Sequence, residues 1–354
     1  MAKFVLATDA SQSLLFGVYI ARASVCSTLR VIESPAAPRV ADADLTGDFL
    51  GRRIAMLIGI ILGLAAAVAQ SLSYIFSRLY VMRHPGAFLR LMVLGHLVMG
   101  AMSLAMLPLL PLGHLPTFGH YVWPLAGASG FYLLGQAGLF YVLRHVEASR
   151  ISPLLGLKIA MLAIITAAFL RDCPAPTPLQ WLAVGLSVAA AFALNSTGGK
   201  LPGRIIAGLL FTCLTYSLSD ISIRYLIHGL GGSGAGSVFT AVAFCYLLCG
   251  VAALAALPWA GAHQHGDWRL AVPWAVSWLG AMLLLFGCFQ AVDVVYGNIL
   301  QSTRGLISMV LGAAVAGAGM VHLEKKVSRG VFWRRLAAAL LMFAAIALYA
   351  KGAG

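Results

Sequence analysis

The sequence predicts an all-α integral membrane protein with ten transmembrane helices arranged as a 5+5 inverted repeat. Three observations lead there. Of 354 residues, 61% are hydrophobic and only 10% charged, and mean hydropathy is +0.91; a soluble domain carries about 25% charged residues. From Arg52 onward, apolar runs of about 20 residues follow one another, each long enough to cross the hydrocarbon core as a helix. Two of these runs share a motif, S-L-S-Y-I-F-S-R at 71–78 and S-L-S-D-I-S-I-R at 217–224.

Residues 1–50 stand apart from the rest. They hold five of the eleven acidic residues and carry S-P-A-A-P-R-V-A-D-A-D at 34–44. The apolar patch L-L-F-G-V-Y-I is too short to span, and no secretory cleavage pattern is present. This segment is read as a disordered tail or as an extension upstream of the true start. The predicted spans follow at 54–77, 88–112, 121–143, 148–170, 177–195, 204–227, 235–260, 269–291, 295–321 and 331–350. Helices are required because unpaired backbone groups cannot sit in lipid. The links carry turn residues, such as H-P-G at 84–86 and G-L-G-G-S-G at 229–234.

The ten segments divide into a first repeat over 51–199 and a second over 200–354. An offset of 148 sets Ile151, Ile159 and Met161 against Ile299, Ile307 and Met309. Trp181 and Trp333 open the fifth and tenth segments. Five is odd, so the second copy is inverted relative to the first. Inverted repeats mark secondary transporters, whose substrate lies near the midplane between the halves.

The formal net charge of +13 does not indicate a nucleic-acid partner. Lys and Arg lie at the ends of apolar runs, as membrane proteins place them, and not as basic clusters interleaved with aromatics. Six cysteines, Cys26, Cys173, Cys213, Cys245, Cys249 and Cys288, form no CxxC pair. No disulfide, metal site or cofactor is expected.

Several segments carry polar residues at helical spacing, as the wall of a wet cavity would. Gln70, Ser73, Tyr74 and Ser77 form one series, and Ser129, Tyr132 and Gln136 a second. Thr212, Thr215, Tyr216 and Ser219 form a third, and Asn298, Gln301, Arg304 and Ser308 a fourth. Steps of three or four keep each on one face. The competing reading is hydrogen bonding between helices, worth about 0.6 kcal/mol per contact. Gly59 and Gly63, a GxxxG pair, read as packing surface.

Two cations need a purpose. Lys158 lies eleven residues beyond Glu147, about 16 Å along a helix axis. Arg304 lies in the corresponding segment of the other half. A charge at the bilayer centre costs at least about 2.5–3.5 kcal/mol. Asp220 is the nearby carboxylate, as an ion-pair partner or a coupling group, but one acid cannot neutralise two cations. The predicted substrate-binding set is therefore Lys158, Arg304, Gln70, Tyr74, Gln136, Tyr216, Gln301 and Ser308, around a small polar metabolite with a carboxylate or phosphate.

With its helix count, five-plus-five repeat and local patterns, the chain resembles the drug/metabolite transporter superfamily, of the EamA-type permeases, over about residues 52–350. That family often has an acidic residue just after helices four and nine; Asp172 in L-R-D-C-P and Glu324 in H-L-E-K-K-V-S-R-G match. The resemblance implies alternating access by two rocking halves in the bacterial inner membrane. It also implies a cavity lined by helices one, three, four, six, eight and nine. The chain would act as a monomer or homodimer in the lipid bilayer, on a small-molecule substrate.

An intramembrane enzyme and a passive channel are the alternatives. No HExxH, GxSxG or P-loop occurs, and His96 stands alone in its apolar run. A channel would carry charge rings or filter loops. Outside the tail and apart from Lys158 and Arg304, Lys and Arg number thirteen on one face and five on the other, which by the positive-inside rule puts the termini outside the cytoplasm. The resembling family keeps both ends inside.

Overall fold

The structure is a computed structural model that describes residues 45–84, 86–143, 145, 155–169, 176–195, 201–231, 234–261, 265–317 and 329–353. Among the described residues all regular structure is helical. In chain order the α-helices are α1 (Leu45–Arg83), α2 (Phe88–Met106), α3 (Val122–Leu143), α4 (Leu157–Phe169), α5 (Pro178–Asn195) and α6 (Gly203–Gly229). They continue with α7 (Ala235–Ala256), α8 (His265–Ala291), α9 (Val294–Ser302), α10 (Arg304–Gly317) and α11 (Arg329–Ala353).

Six stretches, in α1, α2, α3, α6, α7 and α8, are long and apolar enough to cross a membrane. The chain is a multi-pass membrane protein. The other predicted spans are shorter or interrupted: 157–168, 178–190 and 340–352 are apolar helical stretches of lesser length. The first helix starts at Leu45, inside the segment set apart at 1–50, because the polar T-G-D-F-L-G-R-R continues the helical ladder ahead of the apolar span. Residues 1–44 lie outside the described residues.

The segment predicted as one span over 295–321 is two helices that meet at Thr303. Side-chain hydroxyls cause local competition there: Ser302 Oγ donates to the Ile299 carbonyl at 2.6 Å and Thr303 Oγ1 to the Leu300 carbonyl at 2.7 Å. Ser71 of α1 takes up the Arg304 carbonyl at 3.1 Å. At the other end of α9, Asp293 in extended conformation caps the helix, its Oδ1 accepting from the Tyr296 amide at 2.8 Å.

The helices pack in pairs: α1 on α8, α3 on α6, α2 on α7 and α5 on α11. Small residues allow the closest approaches. A Cβ on Gly63 would lie 2.8 Å from Leu300 Cδ1, and one on Gly59 2.5 Å from Val292 Cγ1, so the GxxxG pair is packing surface. A Cβ on Gly100 of α2 would lie 2.8 Å from Gly250 Cα of α7, a backbone that cannot yield. Gly100→Val should therefore cost about 1–3 kcal/mol, the usual range for overpacking, and lower the thermal midpoint in detergent. Gly130→Val, with open space at its Cβ, should leave the midpoint within error.

A buried carboxylate fastens one end of the bundle. Asp267, at the start of α8, accepts from Tyr80 Oη at 3.2 Å and Arg90 Nη1 at 3.4 Å, with His84 Nε2 at 3.3 Å. These contacts join the α1–α2 turn to α8.

Candidate functional site

A cavity of about 50 Å³ lies among α1, α3, α4, α6, α7, α8, α9 and α10. At about 10–15 Å³ per buried water it holds a few waters. Tyr132, Tyr246 and Trp278, near the middles of their helices, form much of its wall. Their rings meet edge-on or tilted, Tyr132 lying 5.8 Å from Tyr246 and 6.2 Å from Trp278. Trp278 Nε1 donates to Tyr246 Oη at 3.0 Å, so the one indole donor in this wall is satisfied.

Among the described residues three charged side chains line the cavity: Lys158, Asp220 and Arg304. Lys158 Nζ lies 2.6 Å from Asp220 Oδ2, with both residues buried. Asn298 of α9 donates its Nδ2 to the same oxygen at 2.6 Å. The ammonium also faces the Tyr216 ring, 5.6 Å from its centroid, a distance at which a ring face attracts a cation. Desolvating both charges is costly, and this short contact with an added hydrogen bond is the geometry that offsets the cost.

Arg304 is placed differently. Its Nη1 donates to Gln70 Oε1 at 2.8 Å, and its guanidinium carbon lies 5.9 Å from the Tyr74 ring centroid. Among the described residues no carboxylate forms a salt bridge with it. Two positive groups and one negative among the described residues line the cavity, which leaves one surplus positive charge among them. Each cation also stands at the amino-terminal end of its helix, where the helix dipole adds positive potential.

The two cations occupy corresponding places. Lys158 and Arg304 are 146 positions apart, as are the two S-L-S motifs. Ser217 Oγ donates to the Lys158 carbonyl at 3.3 Å, and Ser71 Oγ to the Arg304 carbonyl at 3.1 Å. Each serine also donates at 2.8 Å to the carbonyl four residues back, Cys213 or Ala67. Lys158 touches Tyr216 and Asp220; Arg304 touches Gln70 and Tyr74, which are the same two positions one offset earlier. The hydrogen bonds thus follow an offset of 146, whereas 148 was the register expected for the fourth and ninth segments.

Of the predicted site residues, Lys158, Arg304, Gln70, Tyr74, Tyr216, Gln301 and Asp220 line one cavity. Gln136 does not: its Nε2 donates to Tyr132 Oη at 3.0 Å, behind the cavity wall. Ser308 does not either, and its hydroxyl is buried without a partner among the described residues. Lys158, expected to keep a free ammonium for cargo, is paired with Asp220, and the unpaired charge belongs to Arg304. Several hydroxyls in the polar stripes, including Ser73, Ser77, Thr212 and Thr215, bond carbonyls of their own helices. Asp172 and Glu324 lie outside the described residues.

Sequence reasoning did not assign Asn298, Tyr246 or Trp278 to the site. Asn298 was visible in its polar stripe, and its carboxylate partner was not. Tyr246 and Trp278 lie in apolar helices, where an aromatic looks like core. His96 is a packed histidine, with Nδ1 2.7 Å from the Met92 carbonyl and Nε2 3.1 Å from Tyr132 Oη. Among the described residues no group of three His, Cys, Asp or Glu is placed to hold a metal ion.

No family model matches the chain, and no curated protein matches it. A solved structure described as "Crystal structure of protein" superposes on it with a TM-score of 0.58 at 15% sequence identity. The match covers 84% of this chain and 96% of the other. The helix arrangement is therefore one that the chain shares with a solved structure.

Proposed function

We propose that the chain is a secondary transporter, an EamA-type permease of the drug/metabolite transporter superfamily. On this reading it moves a small polar metabolite bearing an anionic group across the bacterial inner membrane by alternating access. The observation that carries this reading is the surplus cation: Arg304 lines a cavity between helices and, among the described residues, holds a neutral amide and a ring face but no carboxylate. A structural ion network would pair such a charge, because even a half-buried cation between helices is costly to leave without a counterion. A binding site leaves it for the ligand.

The helix pairing supports two related halves of five segments, with α9 and α10 counted as one. Exchanging each segment for the one five along turns α1 on α8 into α6 on α3, and leaves α2 on α7 and α5 on α11 as they are. The lesser contacts follow the same exchange: α4 on α6 matches α9 and α10 on α1, and α2 on α8 matches α7 on α3. Halves related in this way favour a carrier with a shared midplane site. A cavity that holds a few waters loads a metabolite only when the halves part, which is the motion a carrier makes.

Counterflow tests the proposal. Purified protein in liposomes loaded with an unlabelled extract of small metabolites should accumulate a few species from a uniformly carbon-13-labelled extract outside. Mass spectrometry should find them saturable, anionic and absent from protein-free liposomes. Flux linear in concentration would make the protein a channel, new chemical species would make it an enzyme, and no accumulation would remove the transport reading.

A further inference from the structure

We propose that the cargo anion is a monoanion of the carboxylate type seated on Arg304, and that Asp220 sets this charge selectivity. This rests on the anion-transporter reading above and adds the charge of the ligand and the atom group that receives it.

The protein carries its own template for the bound state. At corresponding positions, Lys158 has Asp220 and Arg304 has Tyr74. The carboxylate that neutralises the first cation is thus replaced by a ring at the second, and Gln70 Oε1 fills the place of an acceptor on Arg304. An amide oxygen on a guanidinium is a neutral placeholder. A carboxylate offers a charge and two oxygens that match the planar fork, a stronger charge-assisted contact. Tyr216 also lines the cavity, and its hydroxyl is buried without a hydrogen-bond partner among the described residues. It is a further donor for an incoming oxygen.

Charge decides the class. With Lys158 and Asp220 paired, the described residues that line the cavity carry one net positive charge. One monoanion brings them to neutrality. A dianion would leave a net negative charge in a dehydrated site, where like-sign excess is poorly screened. Asp220 therefore does more than hold Lys158: it removes one of the two charges a dianion would need. Exchanging it for asparagine keeps an acceptor beside Lys158 and raises the net charge to two.

The test is ligand-dependent thermal stabilisation of the purified full chain at pH 7.5, with L-lactate as monoanion and malonate as a dianion of similar size. Wild type should show an apparent affinity for lactate about tenfold or more above that for malonate. Arg304→Gln should lose the response to both. Asp220→Asn should shift the preference toward malonate by at least about tenfold. The Lys158→Gln/Asp220→Asn double variant, again at one net positive charge, should return to the wild-type preference. That variant keeps the test decisive if the single one does not fold. Unchanged lactate-to-malonate preference in Asp220→Asn and a shifted preference in the double variant would each overturn the proposal. A wild type that prefers malonate would overturn it and leave the anion-transporter reading in place. A wild type that answers to neither probe, yet accumulates an anion in counterflow, would also overturn it. Silence in both assays would remove the reading beneath it as well.

Discussion

Arg304→Gln should abolish accumulation of the anionic cargo while the protein remains folded and in the membrane. Arg304 has no carboxylate partner in a salt bridge among the described residues, so its removal strands no buried acid. The loss to folding is one hydrogen bond, to Gln70 at 2.8 Å, plus contact with the Tyr74 ring. A net hydrogen bond is worth about 0.5–1.5 kcal/mol, and glutamine can restore part of it. The loss to function is far larger, because charge-assisted contact with the cargo contributes about 1.5–3 kcal/mol for each hydrogen bond. Two such bonds amount to two or more orders of magnitude in affinity. Arg304→Lys should recover part of the transport, since it restores the charge but not the fork. Counterflow with the labelled extract and a thermal midpoint measure the two sides separately. A midpoint that collapses with normal expression of transport in the surviving fraction would make Arg304 structural.

Asp220→Leu should do the opposite and strike the fold. It leaves Lys158, a residue 8% exposed, without its carboxylate, and it takes one acceptor from Asn298, which keeps the Val294 carbonyl. Breaking a buried pair from one side costs about 3–5 kcal/mol, because the remaining charge has no counterpart. Expression should fall and the thermal midpoint should drop well below wild type. Lys158→Met/Asp220→Leu should regain most of that loss, since replacing both members with apolar groups is often neutral. The double variant should fold and keep one positive charge at Arg304. If it is as unstable as the single variant, the pair is not a self-contained unit, and its hydrogen bond from Asn298 carries much of the energy.

The elements that were legible in the sequence were those written in residue type. Arg53–Ser77 and Ala235–Ala260 are predominantly apolar over about 25 residues, and lipid admits no other reading of them. The S-L-S motifs were legible because the same small hydroxyl recurs at one offset, and Ser71 and Ser217 make the same pair of hydrogen bonds. The break at Thr303 was not legible. S-T-R-G inside an apolar run looks like a polar face, and whether hydroxyls line a cavity or release a helix depends on which carbonyls they reach.

Lys158 shows the same limit from another side. As part of a continuous helix from 148 it would sit deep in a span, whereas it is the second residue of α4, after a turn at Leu155–Gly156. That placement brings its ammonium to Asp220 on α6, a partner 62 positions away that no local pattern announces. Tyr246 and Trp278 were hidden for a simpler reason. An aromatic among Leu, Val and Ala is core in most helices, and only the gap left between α3, α7 and α8 turns these two into cavity wall.

Native cysteines offer the most direct measurement of whether this cavity opens alternately to the two sides. Cys245 and Cys249 border it, while Cys213 and Cys288 are buried away from it. A variant that keeps Cys245 and Cys249, with the other four cysteines replaced by serine or alanine, can be treated with a membrane-impermeant thiol reagent. The treatment is made in right-side-out and in inside-out vesicles. Alternating access predicts labelling from both sides, with protection by the accumulated anion in each orientation. Labelling from one side only, or from neither, would contradict a carrier that works through Arg304 and this cavity.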